Sequence, residues 1–242
     1  MRTTRIYCHD IQLNQQPLAL NATSSSHLCK VLRLNSGDTL ILFDGKGNSF
    51  SAIIETASPK KTVVKISNAL TENTESNLTL HLGLGMSKGD RMDYAIQKSV
   101  EVGVTHITPL LTKFSVIKLD EQRRQKKLEH WLGIIINACE QSGRTILPVL
   151  NPITPLSSWL EHEAGHKIVF DPEANKSLVN LTPTDSVSLL IGPEGGLCKT
   201  EIDMAASEDF QAIKLGPRTL RTETAAVVAC ATIQTIWGDY SR

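Results

Sequence analysis

Two glycine-bearing stretches in the carboxyl-terminal half of the chain carry residue types that do chemistry: "IGPEGGL" (Ile191–Leu197) and "LGPRTLRTETAAVVA" (residues 215–229). The second sets two arginines, Arg218 and Arg221, ahead of a run of small residues with helical character. A helix amino terminus already carries roughly half a positive charge from its unpaired N–H groups, so cations placed there call for an anionic partner. Gly216 and Pro217 turn the chain, Thr222 stands where a cap would, and Glu223 in the first turn complements the helix dipole. In the first stretch Gly192, Gly195 and Gly196 permit positive φ and let a ligand approach the backbone. No Lys-Ser or Lys-Thr pair sits where a phosphate loop needs it, and Glu194 would repel a phosphate, so this loop suits a neutral or cationic ligand. Backbone amides of both stretches suit an adenine and a ribose, which leaves the arginine side chains free for a second substrate.

Other groups have two readings each. "GLGMSKG" (residues 83–89) lies between a strand and a helix, but its glycine spacing is one residue too long for a dinucleotide fingerprint; Lys88 and Arg91 then face solvent or meet a substrate phosphate. Lys98 and Glu101 stand i, i+3 on a helix and predict a surface ion pair. In "ACEQSGR", Gly143 ends a helix and Arg144 either neutralises its negative end or serves a ligand; Gln141 is otherwise a plain polar residue. The seven histidines fall into no metal-ligand spacing and receive no catalytic role. Five cysteines lie far apart with no CxxC pair, which predicts reduced thiols and no metal site.

The elements that must position these residues change character along the chain. Up to Leu70, short strand patterns ("DTLILF", "SFSAIIE", "KTVVKISNAL") flank the Asp-Gly hairpin signal in "DGKGN" and predict a small β-rich module. "SSSHLCKVLRLNSGD" predicts a short helix with a serine cap and Gly37 after its end. The polar "TENTESN" (residues 71–77) reads as a linker, giving domains of residues 1–73 and 74–242. Beyond it, apolar strand-like runs alternate with longer helical patterns such as "RMDYAIQKSVEVG", "EQRRQKKLEHWLGIIINACEQSG" and "TEIDMAASED", where Thr200 and Asp203 suggest a capping box. Such alternation predicts an α/β domain with a parallel sheet covered on both faces and ligands beyond the carboxyl ends of its strands. The two glycine stretches follow consecutive strand patterns, so neighbouring strands are expected to carry them as walls of one cleft.

Composition narrows the function classes. Lysines plus arginines equal aspartates plus glutamates at 25 each, so the chain as a whole is no basic nucleic-acid binder. Residues 1–70, however, hold eight bases against four acids, leaving seventeen against twenty-one elsewhere; this asymmetry points to nucleic acid on the amino-terminal side. No apolar run approaches the roughly 18 residues of a membrane span, and the expected location is the cytoplasm.

"LLIGPEGGL" followed about twenty residues later by "LGPRTLRTETAA" resembles the two signature segments of the SPOUT superfamily of S-adenosylmethionine-dependent RNA methyltransferases. "HLCKVLRLNSGD", "KGDRMDYAIQKSVEVGV" and "ACEQSGR" are similar to segments of its RsmE family, so the likeness covers nearly the whole chain; "VEVGV" departs from an ELG-like segment but keeps Glu101 and Gly103. The resemblance implies a PUA-like RNA-binding β-barrel, a SPOUT domain with a trefoil knot, a homodimer, and methylation of N3 of uridine 1498 in 16S ribosomal RNA, free or within the 30S subunit. It implies cofactor contacts at Leu190, Ile191, Gly192, Gly195, Gly196, Leu215, Gly216 and Leu220. Catalytic candidates are Glu223 or Glu194 as the base and Arg221 as the group that stabilises charge on a uracil oxygen. RNA contacts are expected at Arg2, Arg5, Lys30, Arg33, Lys88, Arg91, Lys98, Gln141, Arg144 and Arg218. The competing expectation is a non-catalytic RNA-binding assembly factor that keeps the fold.

Overall fold

A computed structural model of the chain describes residues 3–11, 13, 16–115, 120–178 and 181–241. Arg2, one of the expected RNA contacts, lies outside them. The chain divides into two compact units, one of Met1–Glu75 with Cys139–Leu147, the other of Ser76–Ala138 with Pro148–Arg242.

The first unit is built on β1 (Arg5–Tyr7), β2 (Leu18–Ala19), α1 (Ala22–Ser26), β3 (Thr39–Phe43), β4 (Ser49–Thr56) and β5 (Val63–Leu70). Its sheet runs β1-β3-β4-β5-β2, with β1 parallel to β3 and the other pairs antiparallel. Register shifts in β4, between Phe50 and Ala52 and between Ile54 and Thr56, bend it as bulges do. No β1–β2 pairing closes the ladder among the described residues. Strand alternation puts Leu40, Leu42, Ala52, Ile54, Val64 and Ile66 on one face, where Ile6, Leu20 and Leu28 complete the core. The Asp-Gly turn forms as predicted: the Asp44 carboxylate accepts from the Lys46 and Asn48 backbone N–H groups at 2.8 and 3.1 Å. The expected short helix starts earlier than the serines. Asn21 caps it, accepting from Ser24 N at 2.8 Å, and a π-helical turn over His27–Val31 continues it to Arg33, held at φ 56°.

Arg144 does not neutralise the end of its helix. It is 4% exposed, and its guanidinium meets the Glu75 carboxylate at 2.6 Å, while Glu75 also accepts from the Thr145 and Ile146 N–H groups at 3.3 Å. The residues are 69 apart in sequence, so the pair fastens residues 139–147 to the segment that ends this unit.

The second unit contains β6 (Thr79–Gly85), α2 (Asp90–Glu101), β7 (His106–Leu111), most of α3 (Glu121–Ser142), β8 (Val149–Leu150), β9 (Thr154–Pro155), α4 (Leu156–Leu160), β10 (His166–Phe170), β11 (Ser186–Ile191), α5 (Lys199–Ser207), β12 (Gln211–Ile213) and α6 (Thr222–Ile236). The sheet order is β12-β10-β11-β6-β7-β8, with every pair parallel and β9 added to the end of β7. Central strands buried on both faces read as continuous apolar runs, which is why "SVSLLI" and "LTLHLGL" were legible. The expectation that neighbouring strands carry the two glycine stretches fails: β10 lies between β11 and β12. The chain leaves β12 at the sheet edge and returns in α6, which packs on α2, β6 and β11 through Ala226, Ala229, Cys230 and Ile233 at helical spacing. That return path is the one the resemblance implies for a knotted carboxyl end. Buried Gln234 anchors the far end of α6, accepting from Ser76 Oγ at 2.9 Å and donating to Gly103 O at 3.1 Å.

One sheet face carries a polar cluster. His81 meets Glu163 Oε2 at 2.7 Å and Thr108 Oγ1 at 2.7 Å, Ser188 donates to Glu163 at 2.6 Å, and Asn151 donates to Thr108 at 2.8 Å. These groups satisfy one another, as buried polar groups must.

Glu75→Ala removes the carboxylate that meets the buried Arg144 guanidinium at 2.6 Å. The expected loss is about 3 kcal/mol or more, read from the denaturant midpoint; an unchanged midpoint would mean that the pair holds nothing together.

Candidate functional site

All seven strands of the long sheet are parallel, so the loops after β6, β7, β10, β11 and β12 leave from one edge. Three of them interlock. Leu84 and Ile191 are partners in register, and just beyond them a Cβ placed on Gly85 would lie 2.5 Å from Pro193 N. Only glycine lets the loop after β11 cross β6 this closely. Gly195 backs onto Phe114 of the β7 loop, where an added Cβ would lie 2.8 Å from that side chain's own Cβ. Glu194 then reaches the β6 loop, its Oε1 accepting from Lys88 N at 3.1 Å and Arg91 Nη1 at 3.3 Å.

The loop ends in a cap different from the predicted one. Cys198 occupies the cap position of α5, and Glu201 rather than Asp203 reaches back, accepting from Cys198 N at 2.9 Å. Its other oxygen accepts from Lys113 N at 2.7 Å, so this carboxylate, 8% exposed, ties the helix start to the β7 loop. The glycines also divide their tasks unexpectedly. Only Gly196 of the three takes a positive φ (71°), as does Gly216 (77°), and an added Cβ at either meets nothing within 4 Å. Gly192 instead allows the turn to fold on itself, a Cβ there falling 2.9 Å from Gly196 C.

The β12 loop carries Leu215, Gly216, Arg218, Leu220 and Arg221; both arginines are exposed. Thr222 does not cap α6. Arg221 holds the cap position with extended backbone (φ −66°, ψ 153°) and no side-chain cap bond, and Thr222 is buried as the first helical residue. Glu223 follows, and its Oε2 is buried with no hydrogen-bond partner among the described residues. Between the two glycine loops rises the loop after β10, "DPEAN", whose Asp171 N donates to Ile213 O at 3.1 Å. Sequence reasoning passed over it; its signal was a Pro-containing turn directly after an apolar strand.

The expected site residues thus fall into groups. Lys88, Arg91 and Glu194 are in contact; Leu190 and Ile191 are buried at the end of β11 beside Gly192. Lys98 pairs with Glu101 at 2.7 Å, two turns along α2 from the loop edge. Arg5, Lys30, Arg33, Gln141 and Arg144 belong to the first unit. A cavity of about 520 Å³ lies elsewhere, near Leu78 and Trp237, and one of about 600 Å³ lies beside Phe210, lined in part by Ala174 and Asn175 of the β10 loop. The loop edge is an open surface: Glu194, Gly195, Gly196, Gly216 and Arg218 are all exposed. Among the described residues no His/Cys/Asp/Glu group could hold a metal, and burial pushes the Cys139 and Cys230 thiols up to about 12.

The two carboxylates differ in surroundings. Burial pushes the Glu194 pKa up, but its own and Lys88's backbone N–H groups, the Ser87 hydroxyl and the Arg91 guanidinium together bring it below the usual carboxylate range. A carboxylate so held is a poor proton acceptor. Glu223 has an oxygen without such donors.

Open glycine loops beyond the carboxyl ends of a parallel sheet, in a chain that also carries a small β unit, define an α/β ligand-binding domain. Models of an RNA methyltransferase domain and an RNA methyltransferase PUA domain match residues 74–234 and 20–67. The chain belongs to the ribosomal RNA small subunit methyltransferase E family of RNA methyltransferases. It is 35% identical to the ribosomal RNA small subunit methyltransferase E of Buchnera aphidicola subsp. Acyrthosiphon pisum (strain APS), over 98% of this chain and 94% of that one. To the Bacillus subtilis (strain 168) protein of that name it is 30% identical, covering 92% and 91%. Among solved structures, a putative methyltransferase from Legionella pneumophila in complex with the bound cofactor SAM has a TM-score of 0.95 at 39% identity, covering 99% of this chain and all of that one. The Neisseria gonorrhoeae methyltransferase E bound to S-adenosyl methionine gives 0.92 at 34%, again over 99% and 100%.

Because the folded pKa of Glu194 is lowered, its contribution to stability is present above the ordinary carboxylate range and is lost as pH falls through the lowered value. The bridge is partly exposed, so Glu194→Gln is expected to cost at most about 1 kcal/mol at pH 7. Melting temperatures of the two proteins should converge as pH falls through and below the ordinary carboxylate range; a gap that widens in acid would reverse the assignment.

Proposed function

We propose that this protein transfers a methyl group from S-adenosylmethionine to N3 of uridine 1498 in the small-subunit 16S ribosomal RNA, acting in the cytoplasm. The observation that carries the reading is the pairing, at one sheet edge, of glycine loops open to a ligand with an unpartnered buried oxygen on Glu223. The residues present fit the cofactor: the space in front of Gly196 and Gly216 and the backbone of Leu190, Ile191, Gly192, Gly195, Leu215 and Leu220 suit an adenosyl group, and Glu194 leaves no need for a phosphate. When bound, S-adenosylmethionine supplies an electrophilic methyl group on a sulfonium.

The protein's own part is to position the uracil, remove a proton and steady charge. Glu223 Oε2 would accept the N3 proton, and Arg221 would stabilise the negative charge that develops on a uracil oxygen. Holding both reactants in register supplies about 7 to 11 kcal/mol of the barrier. Glu194, held by Lys88 and Arg91, fixes the loop and does not take the proton. Arg218, Lys30 and Arg33 are the exposed cations proposed to meet RNA phosphates; Arg144 is spent on Glu75 and Lys98 on Glu101. A homodimer fits the exposed apolar residues on packed neighbours α2 and α6, namely Tyr94, Val228 and Ile236. Support from relatives is their name and the cofactor in two of the solved structures.

Calorimetry with S-adenosylmethionine followed by methyl incorporation into 30S subunits tests the reading. Glu223→Gln is expected to bind cofactor within a few-fold of wild type while losing about 10²- to 10⁴-fold in transfer. Cofactor binding without methyl incorporation by wild type into 30S subunits or free RNA would instead identify a non-catalytic assembly factor. Equal loss of binding and transfer in the variant would make Glu223 a structural residue.

A further inference from the structure

The run "RRQKK" (residues 123–127) opens α3 in the part of the chain whose overall charge is negative. At 100° per residue, Lys126, His130, Arg123 and Lys127 fall within an arc of about 100° on one face of the helix. The glutamates of this stretch stand outside that arc: Glu121 lies on the opposite side and Glu129 flanks the arc about 60° from Lys126, where Gln125 donates to Glu129 at 3.1 Å. Arg123 and Lys126 are exposed, and the Arg123 contact with Asp120, 3.5 Å between two exposed side chains, is a weak tether. Lys127 Nζ is steadied 5.4 Å above the Trp131 ring.

The helix is fixed at its lower end. Asp93, in the first turn of α2, accepts from Trp131 Nε1 at 3.2 Å and meets His130 Nε2 at 2.7 Å. α2 has three residues ahead of Asp93, about 4.5 Å of helix, whereas α3 has nine ahead of His130, about 13 Å. Both helices start after parallel strands, at the edge that carries the glycine loops. The first turns of α3 therefore reach about 13 Å ahead of its contact with Asp93, and they carry Arg123, Lys126 and Lys127.

We propose that this cationic arm binds the phosphate backbone of a structured RNA flanking the methylated base. The proposal rests on the reading of RNA as substrate, and adds a contact that neither the glycine loops nor the first unit provides. A polyanion is favoured over an acidic protein because the face carries point charges at one-turn spacing with no apolar anchor between them, which suits a charged backbone and not a packed interface. Such contacts position the substrate and carry no sequence information.

The test measures anisotropy of a labelled 16S hairpin at several salt concentrations. It compares wild type, Arg123→Gln/Lys126→Gln, the same with Lys127→Gln, and Glu121→Gln/Glu129→Gln. The double variant leaves the Lys127–Trp131 contact intact and guards against misfolding. Loss of three phosphate contacts is expected to make the slope of log K against log salt less negative by about two, with about a tenfold or greater loss of affinity at low salt. Cofactor affinity by calorimetry should stay within twofold, and the acid-face variant should bind RNA at least as well as wild type. Unchanged slopes in the double and triple variants, with wild type binding normally, would overturn the arm while leaving the proposed function standing. Wild-type protein that neither binds nor methylates RNA would remove both. Variants that bind naked RNA normally but lose the assembled 30S subunit would point to an acidic protein partner and overturn the phosphate contact.

Discussion

The close passage of Pro193 over Gly85 is the constraint from which the rest of the site follows. Parallel pairing of β6 and β11 brings the two strand ends together, and the absence of a side chain at residue 85 lets the next loop lie directly on its neighbour. From there the loop has few paths. Glu194 finds the Lys88 N–H, Gly195 settles against Phe114, and Glu201 closes on Lys113 N. Three connections of a parallel sheet, each unremarkable alone, become one wall held by backbone donors and buried carboxylate. Gly196 and Gly216 stay open beside this wall, so the glycines held at positive φ are those with room in front of them. A ligand bound there meets amides that are already oriented, which lowers the ordering cost of binding.

The elements that read most clearly in the sequence were those governed by local pattern. Continuous apolar runs gave the buried parallel strands, and the Asp-Gly turn gave the first hairpin, because these signals depend on residues a few positions apart. What escaped was set by residues far away. Strand order is decided by crossover paths, so nothing in "HKIVFD" announces that it lies between the strands bearing the two glycine loops. The partner of Arg144 is 69 residues earlier in a segment that reads as a polar linker. Capping failed for a subtler reason: Thr200, Thr222 and the serines before His27 have the right chemistry, but a cap needs a particular extended backbone, and tertiary contacts gave that to Cys198, Arg221 and Asn21.

Histidine illustrates the same limit. His81 has no ligand spacing in the sequence; in the fold its ring joins Glu163, Thr108 and Trp159 on one face of the sheet. Parallel strands place His81, His106 and Ser188 side by side through register alone. Polar residues in an apolar strand therefore signalled a satisfied network, not a reactive site. The glycines were legible as a group yet not individually, since close approach at Gly192 and positive φ at Gly196 look identical in one-letter code.

Two glutamates near one sheet edge could have competed for a single role, and their surroundings separate them. Glu194 sits among donors: two backbone N–H groups, a hydroxyl and a guanidinium favour its charged form, so it gains little by taking a proton. Glu223 lies in the first turn of α6, where the helix dipole favours a carboxylate, but one of its oxygens is buried with no hydrogen-bond partner among the described residues. An unpaired buried acceptor costs stability unless a ligand completes it. In the proposed reaction the imide N–H of uracil is the donor that would do so, and the same contact that repairs the deficit is the one through which the proton leaves. The two carboxylates share one side-chain chemistry and differ in surroundings: donors hold Glu194, while one Glu223 oxygen is buried without a hydrogen-bond partner among the described residues, and the proposed division into scaffold and acceptor rests on that difference.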